Sequence, residues 1–255
     1  MPYIENQGVR IQYRVVGDGP PLVLQHGSTM KSALWDLRGY VDALKADYRL
    51  VLIDARGHGE SDKPHDRAAY RWPICVMDVL AVLDALELRQ ATFWGYSWGG
   101  AVGFGLAKQA PDRVSALIVG GSHAEAVDIR TRLGDIDGSD PEAFVSVYEK
   151  RILGERMPDD SRARVLRSDT QALAAFAQDR PSHDDILPNL KMPCLLYAGT
   201  EDQMFPKTRS TAQRIPNAVF VALEGLNHAG AFMHSDRVLP HVTDFLEAQR
   251  YPPRI

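Results

Sequence analysis

Ser97 lies in Phe93-Trp94-Gly95-Tyr96-Ser97-Trp98-Gly99-Gly100, with a glycine two residues to either side. An apolar run, 91–94, leads in, and a helix-like segment, 101–109, leads out. Small residues around a serine suit a very sharp strand-to-helix turn. Such a turn lifts the hydroxyl off the end of a sheet and sets the next backbone at a helix N-terminus. A serine hydroxyl is a poor nucleophile until an imidazole takes its proton, and a carboxylate must fix the tautomer of that imidazole. Asp202 and His228 provide these groups further along the chain, in the order Ser, Asp, His.

Elements must bring the three together. Residues 9–15 alternate apolar and polar, as in a half-buried strand. Short apolar runs at 22–24, 49–53 and 114–119 read as strands buried on both faces, and the strand pattern returns at 192–199 and 219–222. Helical patterns at 35–46, 76–86 and 101–109 alternate with them, and a final helix is expected over 236–248, before a proline-containing tail. This alternation predicts a parallel sheet covered on both faces. In such a sheet the loops after successive strands share one edge, so Ser97, Asp202 and His228 can converge. Between 122 and 189 the pattern changes. Asp140-Pro141-Glu142 starts a helix carrying Phe144, Val145, Tyr148 and Ile152, a second helical stretch covers 161–178, and no strand is evident. The expected organisation is a core of 1–121 and 190–255, with a helical insert, 122–189, walling a pocket above the sheet.

Composition narrows the partners. The chain has 255 residues, 45% hydrophobic and 24% charged, with a net charge of −4. Basic and acidic residues are interspersed, which argues against nucleic acid or an anionic membrane surface. The start lacks a basic and an apolar signal region, and no apolar run reaches membrane-spanning length. Cys75 and Cys194 lie far apart and do not form a metal-ligand pair. The expectation is a reduced, cytoplasmic protein, monomer or homodimer, without metal or cofactor.

Five segments in order carry a resemblance: His26-Gly27, Asp54-x-Arg56-Gly57-His58-Gly59-x-Ser61, Gly95-Tyr96-Ser97-Trp98-Gly99-Gly100, Gly199-x-x-Asp202-x-x-x-Pro206 and Gly225-x-x-His228. Together they resemble the α/β-hydrolase superfamily over nearly the whole chain, most closely small cytosolic serine esterases and enol-lactonases. The resemblance implies a mostly parallel, doubly wound, eight-stranded sheet, with the insert as its cap. It also implies Ser97 as nucleophile, His228 as base and Asp202 as acid, with the N–H groups of Ser28 and Trp98 as oxyanion donors. The implied reaction cleaves a small, apolar carboxylic ester or lactone through an acyl-enzyme. C–C bond hydrolysis, acyl transfer and perhydrolysis use the same groups, and a slow-turnover ligand receptor is the rival from another class.

Other residues compete for roles. Glu201 adjoins Asp202, but neighbours on an extended exit point in opposite directions, and the spacing to Gly199 and Pro206 favours Asp202. His123 is read either as a pocket residue or as a hinge on the surface. His26 and His58 are expected to bond loop backbone, and Asp54 to brace its own loop. Trp35, Trp98, Met30, Met204 and Phe205 are read as either an acyl pocket or core packing.

Overall fold

Gln7 and Gly8, both at positive φ (52° and 74°), turn the chain between two short antiparallel strands. The computed structural model describes residues 2–250. Met1 and the proline-containing tail, 251–255, lie outside the described residues. The strands are β1 (Tyr3–Asn6), β2 (Val9–Val16), β3 (Pro21–Gln25), β4 (Arg49–Ile53), β5 (Ala91–Tyr96), β6 (Val114–Gly120), β7 (Cys194–Gly199) and β8 (Val219–Leu223). They form one sheet in the order β1-β2-β4-β3-β5-β6-β7-β8. β1 and β2 pair antiparallel with each other, β2 pairs antiparallel with β4, and all other pairs are parallel.

The continuous apolar runs follow from burial on both faces. Leu22 and Leu24 of β3, with Leu50 and Leu52 of β4, join Trp35, Tyr40 and Trp94 in the core on one face. Val23, Val51, Ile53 and Phe93 join Val76, Val79 and Phe104 on the other. Successive side chains point to opposite faces, so a strand that feeds two cores has no polar position left. The helix Trp72–Ala85 and the helix Trp98–Gln109 cover one face; the helix Ser235–Arg250 covers the other.

Several elements depart from the sequence reading. The stretch expected as one helix over 35–46 is two, Ala33–Leu37 and Tyr40–Leu44, separated by Gly39 at φ 79°. The second helix of the insert is also two, Asp159–Leu166 and Thr170–Phe176. Asp169 caps the latter by accepting from the Ala172 N–H at 2.9 Å. Between β6 and β7 the insert has a small core of its own, including Leu133, Phe144, Tyr148, Val165 and Leu173. Cys75 and Cys194 are free buried thiols, each pushed up to about 12 by burial. Among the described residues, no helix is long and apolar enough to cross a membrane.

One buried ion pair ties three elements beneath the sheet edge that carries the site. Arg56, in the loop after β4, donates from Nε and Nη2 to the two oxygens of Asp78, at 2.7 and 2.6 Å. Asn6 of β1 donates to the same carboxylate at 2.7 Å. Removing the carboxylate strands a charge that is 1% exposed. Asp78→Ala is therefore expected to cost about 3–5 kcal/mol of unfolding free energy in urea titrations. A loss below about 1 kcal/mol would show that the pair does not hold this loop.

Candidate active site

The turn at Ser97 is as sharp as its glycines suggest. Ser97 has φ 52° and ψ −113°, between the end of β5 and the first turn of the helix Trp98–Gln109. A Cβ on Gly95 would lie 2.1 Å from the Gly99 carbonyl oxygen, and one on Gly99 would lie 2.3 Å from that of Gln25. No side chain fits at either position, which is why the strand, the helix and the loop after β3 can close around one serine.

His228 joins the other two predicted groups. Its Nε2 lies 3.0 Å from Ser97 Oγ, and its Nδ1 lies 2.7 Å from Asp202 Oδ2. Asp202 is 3% exposed, and its Oδ1 accepts the Met204 N–H at 2.8 Å, which orients the carboxylate. With the carboxylate accepting, Nδ1 carries the proton and Nε2 faces the serine hydroxyl as an acceptor. Tyr96 donates its hydroxyl to the His228 carbonyl. Glu201 is exposed and takes no part in this chain of contacts.

Gly27 brings the loop after β3 close to the serine: a Cβ there would lie 3.2 Å from Ser97 Cβ. Ser28 follows it. The Ser28 hydroxyl is 2.6 Å from that of Tyr148, on the insert helix Pro141–Tyr148, a contact across 120 residues that no sequence motif signals. Trp98 supplies the first N–H of its helix, at the positive end of the helix dipole.

Two neutral histidines hold this loop. His26 Nδ1 donates to Gly27 O at 2.7 Å, and its Nε2 accepts the Ala55 N–H at 3.1 Å. His58 Nδ1 donates to Arg56 O at 3.0 Å, and its Nε2 accepts the Thr29 N–H at 3.1 Å. Each ring must be uncharged to accept a backbone N–H. Burial lowers both pKa values, that of His58 to about 3 with the neighbouring His26 adding to the effect. Asp54 braces its own loop by accepting the Glu60 N–H at 2.9 Å. It also reaches across to accept the Ser32 N–H at 2.7 Å.

Two cavities meet at the serine, and Ser28, Ser97 and His228 line both. The first, about 90 Å³, is walled by Met30, Leu34, Met157 and Phe232, with Arg38, Glu155 and Arg164 also in its lining. The second, about 40 Å³, is lined by Gly121, His123, Tyr148, Met204 and Arg180. His123 is thus a buried pocket residue, lowered to about 4 by burial, with no partner for Nδ1 among the described residues. Met30 and Met204 line cavities, whereas Trp35 is core, edge-on to Tyr40, Trp94 and Phe232, and Phe205 packs on Phe220. Trp98 does both, stacking near Phe176 and lining a third cavity.

A family model described as alpha/beta hydrolase fold matches residues 20–154. The chain belongs to that family. It is 29% identical over 239 residues to the 2-hydroxymuconate semialdehyde hydrolase of Pseudomonas sp. (strain CF600), covering 91% of this chain and 76% of that one. Among solved structures, the enol-lactonase from Burkholderia xenovorans LB400 superposes with a TM-score of 0.82 at 26% identity, over 96% of this chain and 100% of that one. An esterase from Rhodococcus sp. ECU1013 superposes with a TM-score of 0.79 at 27% identity, over 97% and 98%. This alpha/beta hydrolase therefore has hydrolases as relatives and keeps their eight-stranded sheet.

The neutral state of His58 has a pH consequence. Its pKa in the fold lies below the value of about 6.5 that it takes when unfolded, so the unfolded chain binds the proton first. The stability it contributes is complete above about pH 6.5 and is lost as pH falls from there towards about 3. His58→Gln, which can still accept the Thr29 N–H, is expected to flatten the fall of unfolding free energy between pH 6.5 and 4 by about one proton. An unchanged slope in urea titrations would place the acid sensitivity elsewhere.

Proposed function

We propose that this alpha/beta hydrolase is a serine hydrolase that cleaves small carboxylic esters or lactones through an acyl-enzyme. The observation that carries this reading is one imidazole, that of His228, held between Ser97 Oγ and the buried Asp202 carboxylate at hydrogen-bond distances on both sides. The relatives named as an esterase and an enol-lactonase support the choice of ester and lactone.

In this reading Ser97 Oγ attacks the carbonyl carbon as its proton passes to His228 Nε2. Asp202 stabilises the imidazolium that forms. The carbonyl oxygen becomes an oxyanion facing the N–H groups of Ser28 and Trp98, which are fixed before the reaction and need not reorganise. The intermediate collapses, the imidazolium gives its proton to the departing alkoxide, and the acyl group stays on Ser97. Water then repeats the sequence, losing a proton to His228 and releasing the acid.

The experiment is labelling with a fluorophosphonate together with turnover of p-nitrophenyl esters. One adduct on Ser97 is expected, and Ser97→Ala should lose turnover by several orders of magnitude. Labelling that persists in Ser97→Ala would overturn the assignment. Asp202→Asn should cut kcat far more than Glu201→Gln; the reverse would mean that the carboxylate is misassigned.

The oxyanion donors can be tested separately, because Ser28 has a hydroxyl as well as an N–H. If the backbone acts, Ser28→Ala loses only the bond to Tyr148, and kcat should fall less than ten-fold, about 1 kcal/mol. A fall of a hundred-fold or more with melting temperature unchanged, on the order of 2.7 kcal/mol, would make the hydroxyl the donor.

A further inference from the structure

The proposed acyl transfer leaves Arg180 without a task. Its backbone is pinned where the insert closes on itself: the Arg180 N–H donates to Val127 O at 2.9 Å, and the Val127 N–H donates to Arg180 O at 3.0 Å. From there Arg180 lines the second cavity beside Ser97 and His228, and a third, about 20 Å³, beside Ser28, Trp98 and Tyr148. Among the described residues its guanidinium makes no ion pair and no hydrogen bond, a state it shares with Arg164 of the first cavity, whereas Arg10, Arg14, Arg38, Arg56, Arg113 and Arg214 each hold a carboxylate.

The surroundings do not compensate for the missing partner. Neither cavity has an aspartate or glutamate in its described lining, and Arg132 adds a second positive charge to the first of the two. Burial pushes the Arg180 guanidinium below its ordinary pKa, although the residue keeps part of its surface open to the cavities. A partly desolvated cation without a partner gains from an arriving anion, because the attraction is stronger there than in open water. The geometry also selects the anion. A single guanidinium offers a planar fork of donors that matches a carboxylate.

We propose that the substrate carries a free carboxylate, which Arg180 binds while the ester or lactone carbonyl sits at Ser97 and an apolar group fills the first cavity. This rests on the serine hydrolase reading and gives it a substrate class: short, half-apolar ester or lactone acids rather than the small apolar ester or lactone expected from sequence. Arg180 is then a specificity residue, bound to a part of the substrate that does not react. Its contribution appears in the discrimination between charged and neutral substrates.

The test measures acid release by pH-stat on two ester series. In one, the monoethyl esters of succinate, glutarate and adipate carry the carboxylate on the acyl side. In the other, carboxyalkyl butanoates carry it on the alcohol side. Each is paired with the ester in which an isopropyl group replaces the carboxylate. For at least one pair, kcat/KM should favour the acid by about ten- to a hundred-fold, the range of a charge-assisted hydrogen bond. In Arg180→Met that ratio should collapse to about one or below, and Arg180→Lys should restore part of it. Free glutarate or adipate should also inhibit the unaltered protein competitively, a readout that needs no variant to fold.

A ratio of one or less for every pair in the unaltered protein would overturn the proposal. So would a ratio that survives in Arg180→Met while both members of the pair slow together, which would be a structural role. If neutral esters turn over and Ser97 is labelled in that same experiment, the serine hydrolase reading stands and only the role of Arg180 falls. If nothing turns over and Ser97 is not labelled, both fall.

Discussion

The backbone at Ser97 is the constraint on which the rest of the site depends. A serine at φ 52° and ψ −113° lies outside the regions that L-residues prefer, and such a conformation costs about 1–3 kcal/mol unless its neighbours enforce it. They do so from three sides. The Ser97 N–H donates to Gly120 O of β6 at 2.7 Å, the Ala101 N–H returns to Ser97 O at 3.2 Å, and the glycines remove every Cβ that would hold strand and helix apart. Gly121, just past that acceptor, leaves the space in which His228 sits: a Cβ there would lie 3.0 Å from the imidazole Cε1. The same strain that exposes the hydroxyl thus sets the distance to its partner.

A second tier of contacts keeps the loops around the elbow from moving. Each is a buried polar group facing another loop rather than its own strand: His26 on Ala55, His58 on Thr29 and Asp54 on Ser32. These bonds work only with both rings neutral and the carboxylate ionised, so they record one protonation state in the fold. Beneath them, Arg56 and Asp78 carry the loop after β4 on the helix Trp72–Ala85. Replacing such a pair by apolar residues can be neutral for stability, so its value here lies in fixing where the loop runs.

The features legible in the sequence were those that burial or backbone geometry forces on residue type. Strands feeding two cores must be apolar throughout, and the elbow must be glycine at Gly95 and Gly99, so the parallel sheet and the order of Ser97, Asp202 and His228 could be read in advance. The alternation of sides at a strand exit also favoured Asp202 over Glu201, and the structure brings Asp202 to the imidazole. What escaped notice had no such signature. β1 spans only four residues, and its identity comes from pairing with β2 across the Gln7-Gly8 turn. The breaks at Gly39 and Asp169 fall inside helical periodicity that continues on both sides. Trp35 and Phe205 lie beside the candidate site's loops in sequence yet pack into the core, because adjacency along a chain does not give the direction of a side chain. Arg180 could not be singled out at all: its distinguishing feature is that no carboxylate among the described residues pairs with its guanidinium, which is visible only in three dimensions.

The location of these groups separates chemistry from selection. Ser97, Asp202, His228, Ser28 and Trp98 all come from loops or a helix start at the edge of the central sheet, where strained backbone and buried bonds fix them. Tyr148, Met157 and Arg180 come from the insert, which packs around its own small core. Insert and sheet loops meet through polar contacts that include Ser28 with Tyr148 at 2.6 Å, Gln203 with Ile152 O at 3.0 Å, and Asn227 with Glu155 at 2.8 Å, besides Phe176 packed among the sheet-core residues. None of these polar contacts is made by Ser97 itself, although Phe176 of the insert packs on Trp98 beside it. A change in an insert side chain can therefore alter what the cavities accept without disturbing the strain at Ser97. A change at Gly95 or Gly99 cannot, because a Cβ there would collide with backbone that has nowhere to go. The residues free to vary are those that would decide the substrate, and the glycines that cannot vary are those that set the strain at Ser97.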